Sequence, residues 1–342
     1  PTAACAKVVK DITVNADLLD ADGMPAQTSG LAKWTPIAMG SSYTGTFDGQ
    51  NHTISGIYYD PQSAVSSPYA GFFSSLGEGG GTICNLTLAD SYFCAPIEME
   101  NAYTGGIVGL YTHYAGLPER GLELKLENAE NSGEVTGTYY TGGIVGYYQL
   151  RPEDGIASFK NLKNTGNVTG TESIGGMLGL MKNNGVCNFA NIESSAKITG
   201  SASYVGGLIG RISQNDNDCD GNPFDGSGER STAITLDRAF SAGPVEGSSY
   251  VGGIAGYVTT TANNREILEK TQIKCEKVPS TSRYNYTYSY HNIQNTIAFS
   301  NVYATGEVKG ASYVGGLVGD VVGSSAIPSY TNTAYKYVEY TQ

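Results

Sequence analysis

Three stretches of this sequence hold residue types whose spacing could do chemistry. Asp216-Asn217-Asp218-Cys219-Asp220-Gly221 sets three carboxylates at alternate positions before a glycine. That spacing can converge oxygen ligands on a hard cation such as Ca2+, with glycine permitting the sharp turn. An EF-type loop would need a bidentate Glu at its twelfth position, where Ser227 stands, so an exposed acidic loop is the competing reading. Tyr284, Tyr286, Tyr288 and Tyr290 alternate strictly, and a strand would project all four from one face. Such a row could bind a ligand by stacking on sugar rings, meet a protein, or pack against the body of the molecule. Asp48 and His52 lie within Phe47-Asp48-Gly49-Gln50-Asn51-His52-Thr53, a combination capable of acid–base work. No nucleophile motif accompanies them, and Asp-Gly reads as a tight turn with His52 hydrogen-bonded beside it.

Cysteine is spread thinly: six residues, none in a Cys-x-x-Cys pair. Cys84 and Cys187 occupy similar local settings, Ile83-Cys84-Asn85-Leu86 and Val186-Cys187-Asn188-Phe189, and read as small buried hydrophobes. Disulfides between Cys84 and Cys94, or Cys219 and Cys275, stay open as alternatives for an exported chain.

The elements that would position these residues follow from composition. Gly contributes 46 of 342 residues and charged residues only 15%. Glycine at that level disfavours helices, at about 1 kcal/mol each relative to Ala. Hydrophobic residues at 40%, with 25 Tyr, argue against disorder. An all-β chain rich in turns remains. The net charge of −12 opposes nucleic-acid binding through phosphates and attachment to anionic lipid. No apolar run approaches the roughly 18–20 residues of a membrane span.

A repeat organises the chain. Tyr103-Thr-Gly105-Gly106-Ile-Val-Gly109 recurs as Tyr140-Thr-Gly142-Gly143-Ile-Val-Gly146 and Ile174-Gly175-Gly176-Met-Leu-Gly179. It returns around Gly206-Gly207, Gly252-Gly253 and Gly315-Gly316, with a degenerate forerunner at Tyr69-Ala-Gly71. Upstream run an apolar column (Leu126, Phe159, Phe189, Leu236, Phe299), an Asn column (Asn128, Asn161, Asn191, Arg238, Asn301) and a β-branched column (Val135, Val168, Ile198, Val245, Val308). From the apolar column to the last Gly the unit spans 21 residues in four copies and one more in the copy 189–210. A rigid unit with variable spacers means equivalent residues stacked on one another, with loops that leave the stack and return. A propeller is the rival, although its blades need about 40–50 residues.

The expected fold is therefore an all-β β-solenoid (parallel β-helix) of about seven Gly-rich coils, with the apolar and Val columns as internal ladders. The Asn column should form a hydrogen-bonded ladder at a turn. The glycine pairs should supply either a left-handed corner or close backbone approach. The expected organisation is an N-terminal capping segment and first coil over 1–80 and the repeat body over 81–325. Insertions fall at 211–235 and 257–298, and a C-terminal capping strand covers 326–342.

The recurring Gly-Gly-Leu/Ile-x-Gly element resembles the GLUG motif of adhesin-like surface proteins of gut bacteria and of some secreted IgA-peptidase-type proteins. Trp34-Thr-Pro-Ile37 and Gly45-Thr-Phe47-Asp48-Gly49 resemble the segment that precedes such repeats. The resemblance spans about residues 34–320. It implies an extracellular or cell-surface bacterial protein, non-enzymatic and monomeric, with loops that bind a host surface protein or glycan. Two alternatives stand beside it: a polysaccharide-acting β-helix enzyme, or the structural stalk of a larger surface protein. The outward column Glu134, Asn167, Lys197, Pro244 and Glu307 aligns no pair of carboxylates in adjacent copies, which disfavours the enzyme.

Overall fold

The computed structural model describes residues 3–61, 67–77, 81–95, 102–113, 123–150, 156–183, 185–215, 232–261, 267–277, 283–291, 295–323 and 334–339. Among these, strands are the only extended regular element, and no helix is long and apolar enough to cross a membrane. The chain is a parallel β-helix. Each coil lays one strand in each of four sheets, in fixed order. Coil 3 uses Glu123–Asn131, Glu134–Thr136, Thr141–Gly142 and Val145–Leu150. Coil 4 uses Ile156–Asn164, Val168–Gly170, Ile174–Gly175 and Leu178–Asn183. Repetition over the coils produces three 7-stranded sheets and one 9-stranded sheet, which also takes in two N-terminal strands.

The register superposes the repeat column on column. Leu126, Phe159, Phe189, Leu236 and Phe299 are successive partners, as are Val135, Val168, Ile198, Val245 and Val308. Both columns point inward. Phe159 and Phe189 stack at 4.6 Å inside the main core, while the Val column packs with Ile174, Val205 and Val251 in a second cluster. A single rung cannot cover these side chains; its neighbours do, so stability resides in the interfaces between coils.

Glycine and asparagine divide the labour at the corners. None of the paired glycines has a positive φ; they are places of close approach. A Cβ on Gly143 would collide with the Gly176 carbonyl oxygen and the Asn164 amide. The left-handed conformation falls instead on the Asn column: Asn128, Asn161, Asn191, Arg238 and Asn301 all have φ of 52–55°. This bend turns two successive side chains outward, so that Leu126 and Ala129 on either side of it both stay buried. Asn tolerates that conformation better than most residues.

The strands run past the 21-residue unit at both ends. Ile209–Asn215 pairs with Ala255–Thr261, and Thr232–Ser241 with Asn295–Ala304. The described coil strands thus end at Asn215 and resume at Thr232, and end at Thr261 and resume at Asn295, inside the bounds 211–235 and 257–298 expected for the two insertions. Within the second, Ile267–Lys277 and Arg283–His291 form an antiparallel pair, and Ala334–Glu339 adds to the far edge of Arg283–His291. The C-terminal strand thus hydrogen-bonds to the inserted hairpin.

At the N-terminal end, Ala6–Lys7 and Ile12–Thr13 pair with Thr46–Ser55, and bridges at Lys33, Ile37 and Tyr43 follow the same circuit. Trp34 stacks on Phe72 at 4.8 Å. At the other end, coil 7 has no further coil over it among the described residues. Leu317 is 46% exposed there, whereas its counterpart Ile254 is 0% exposed.

The two cysteine settings differ, contrary to the sequence expectation. Cys187 pairs with Ala157 and Ile234 on the inner side and is fully buried, whereas Cys84 pairs with Glu127, outward and half-buried. The two stand at different distances from the apolar column, which sends them to opposite faces of the sheet. Cys84 and Cys94 are free thiols.

Candidate functional site

The bend at the Asn column shapes the outer face of the long sheet. Each amide donates to the one before it: Asn128 to Asn85 at 3.0 Å, Asn161 to Asn128 at 2.7 Å, and Asn191 to Asn161 at 2.9 Å. Arg238 takes the next place and donates from Nε to Asn191 at 2.5 Å. Asn301 then turns to Asp237 at 2.8 Å. The ladder expected from the sequence is present, and its one departure, Arg238, keeps the chain of hydrogen bonds going.

Beside this ladder runs a second outward column: Glu130, Lys163, Glu193, Phe240 and Tyr303. It changes character along the axis, from charged to aromatic. Phe240 and Tyr303 lie with ring centroids 4.4 Å apart, and Tyr303 is 55% exposed. Between the two columns lies an open groove of about 540 Å³, with Asn161, Asn191, Arg238 and Asn301 along one side and Lys163, Glu193, Phe240 and Tyr303 along the other. That volume is in the range of small-molecule sites.

Both cations of the groove are paired, while Glu193 lines it with no ion pair among the described residues. Lys163 meets Glu130 at 3.4 Å, and Arg238 forms an ion pair with Asp237. Hydrogen bonds from Asn301 and Ser300, with Arg238 beside them, hold the Asp237 carboxyl below the usual carboxylate range. It is ionised at neutral pH and unsuited to donate a proton. The groove offers amides, a guanidinium and an aromatic platform.

A second surface feature lies on another face, two residues before the glycine pairs. Tyr69, Tyr103 and Tyr140 occupy successive rungs, then Ser173, then Tyr204, Tyr250 and Tyr313. Neighbouring rings stand 4.5–5.2 Å apart, the closest being Tyr250 and Tyr313. This tyrosine stripe is interrupted only at Ser173.

The residues singled out in the sequence fare differently. Asp216, Asp218 and Asp220 lie outside the described residues. Tyr284, Tyr286, Tyr288 and Tyr290 occupy alternate positions of Arg283–His291, the central strand of its three-stranded sheet; their side chains lie outside the described residues. Asp48 and His52 are separated by a register shift and serve different partners. Asp48 accepts from the Gln50 N–H at 2.9 Å and the Asn85 amide at 3.0 Å, while His52 Nδ1 lies 3.0 Å from Asp11. Among the described residues no three His, Cys, Asp or Glu side chains form a group able to hold a metal ion. Sequence reasoning missed Phe240 and Tyr303. The signal was their place two residues after the Asn column, where the three preceding copies carry Glu130, Lys163 and Glu193.

Fold and surface together define a parallel β-helical repeat scaffold with an amide-lined groove. No protein-family model, curated protein or solved structure matches the chain.

Proposed function

We propose that this chain is a non-enzymatic, adhesin-like binding scaffold of the bacterial cell exterior, and that the groove along the Asn ladder holds a glycan. The observation that carries this reading is the convergence of amides from three coils, one guanidinium, and half-buried Phe240 with exposed Tyr303 on a single open groove. Sugars are recognised by this combination: an aromatic ring covers the apolar face of a pyranose, and planar amide or guanidinium groups meet its hydroxyls. With Lys163 and Arg238 both engaged by carboxylates and Glu193 also in the lining, the groove favours a neutral glycan over an anionic one. A polysaccharide-cleaving site would use a pair of carboxylates flanking the bond, and among the described residues Glu193 alone lines the groove with one. The GLUG-like repeats agree with a surface location and a scaffold role.

The test is a glycan array probed with the folded chain, followed by calorimetric titration of the strongest hit. Tyr303→Ala should weaken binding roughly ten-fold, about 1.4 kcal/mol. Absence of glycan binding by folded protein would overturn the reading. So would release of shortened sugars from the bound glycan, which would favour the enzyme instead.

A further inference from the structure

The single interruption of the tyrosine stripe lies one rung from a cation, Arg211, which pairs in register with Leu180 of the same coil as Ser173. Ser173 takes the place of a tyrosine in coil 4, one rung from Tyr140 on one side and Tyr204 on the other. Gly210, which precedes Arg211, packs against the Ser173 backbone. The Arg211 guanidinium lies 4.9 Å from the Tyr204 ring centroid and 5.6 Å from that of Tyr257. Burial, with the Glu172 carboxylate nearby, pushes the Tyr140 hydroxyl up, and the Arg211 charge opposes that rise. Two polar atoms here are buried without a hydrogen-bond partner: Nε of Arg211 and Oγ of Ser173. Buried polar groups are ordinarily satisfied. Arg211 makes no ion pair among the described residues, in a chain with net charge −12.

We propose that this notch binds the acidic group of an anionic glycan whose chain lies along the stripe. A guanidinium lying over an aromatic ring keeps its two terminal nitrogens available for bidentate contact with a carboxylate or sulfate oxygen pair. The phenol rings on either side repeat at centroid spacings of 4.5–5.2 Å. An extended β-linked pyranose chain advances by a comparable distance per sugar. An extended polypeptide advances about 3.3 Å per residue and falls out of step with the rungs. The periodicity thus selects a glycan over an acidic peptide. This site lies on a different face from the groove and stands whether or not the groove binds a neutral sugar.

The experiment compares a β-1,4-glucuronan tetrasaccharide with cellotetraose, which differs from it at the carboxylates. Both are titrated against the full chain by calorimetry. The wild type should prefer the acidic sugar at least ten-fold, with the preference falling as salt is raised. Arg211→Gln should remove the preference. Ser173→Tyr should close the notch and abolish acidic-sugar binding; the neighbouring rungs already hold Tyr at positive φ, as at Tyr204 and Tyr250, so this variant tests the site even if Arg211→Gln fails to fold. Three outcomes would overturn the proposal. The folded wild type could show no preference for the acidic sugar. The preference could survive in both variants. Or a polyglutamate peptide could bind as tightly as the glucuronan.

Discussion

The Asn191 side-chain amide donates a 2.9 Å hydrogen bond to the Asn161 side-chain oxygen one coil away, and both residues sit in the left-handed region, at φ of 55° and 53°. One residue type thus performs two tasks. It relieves the backbone strain at the bend and ties one rung to the next.

Those tasks can be separated by substitution. Asn161→Ala loses the ladder bonds, about 1 kcal/mol, and places a Cβ at positive φ, about 1 kcal/mol more. Asn161→Gly loses the bonds only. Urea denaturation should rank the wild type above Gly and Gly above Ala, with Ala down by about 2 kcal/mol in all. Equal midpoints for the two variants would show that the bend carries no strain.

Close approach at the glycine pairs predicts a position-dependent cost. Gly143→Ala drives a methyl into the Gly176 carbonyl oxygen and the Asn164 amide, and should destabilise by about 1–3 kcal/mol. Gly316 is the equivalent residue in coil 7, where a Cβ meets nothing within 4 Å. Gly316→Ala should leave the unfolding midpoint close to that of the wild type. A large loss at Gly316 would mean that something covers coil 7 in solution.

Glu134 gives a pH signature. Burial raises its carboxyl above the ordinary glutamate value, against an opposing hydrogen bond from the Asn167 N–H at 3.1 Å. An acid whose pKa is higher in the folded than in the unfolded chain favours folding while protonated. That advantage is lost as pH rises through the ordinary glutamate range towards the raised value. Glu134→Gln keeps an oxygen acceptor without the charge. It should be more stable than the wild type at about pH 7 and lose that margin at about pH 3. Urea midpoints at the two pH values check this; a margin independent of pH would refute it.

The thiols should react in order of access. Cys5 is exposed, Cys84 half-buried and Cys187 fully buried. Burial also pushes the Cys84 and Cys187 thiols up, so the thiolate is scarce at both. Iodoacetamide labelling followed by peptide mass mapping should modify Cys5 first, Cys84 slowly, and Cys187 only in denaturant. Labelling of Cys187 in the native protein would show local opening of the long sheet.

Much of the architecture was legible in the chain. Equal spacing from Phe159 to Gly179 and from Phe299 to Gly319 implied stacking, and the register pairs those columns residue for residue. The candidate site was far less legible. Phe240 and Tyr303 belong to copies separated by the longest insertion, so nothing in their sequence neighbourhood joins them. Arg211 escaped notice because the 21-residue unit ends at Gly210, although the pairing continues through Arg211 to Tyr257 and Asp320.

Repetition by itself determined that this chain winds into coils with Leu, Phe and Val inside, because like residues at like spacing can bury a face only against their own copies. Tertiary structure alone decided how the exceptions meet. Which glycine is crowded rather than left-handed, which thiol faces inward, and where Arg211 rests against tyrosine all depend on a neighbouring rung about 4.8 Å away. That neighbour is tens of residues distant along the chain, and local sequence carries no record of it.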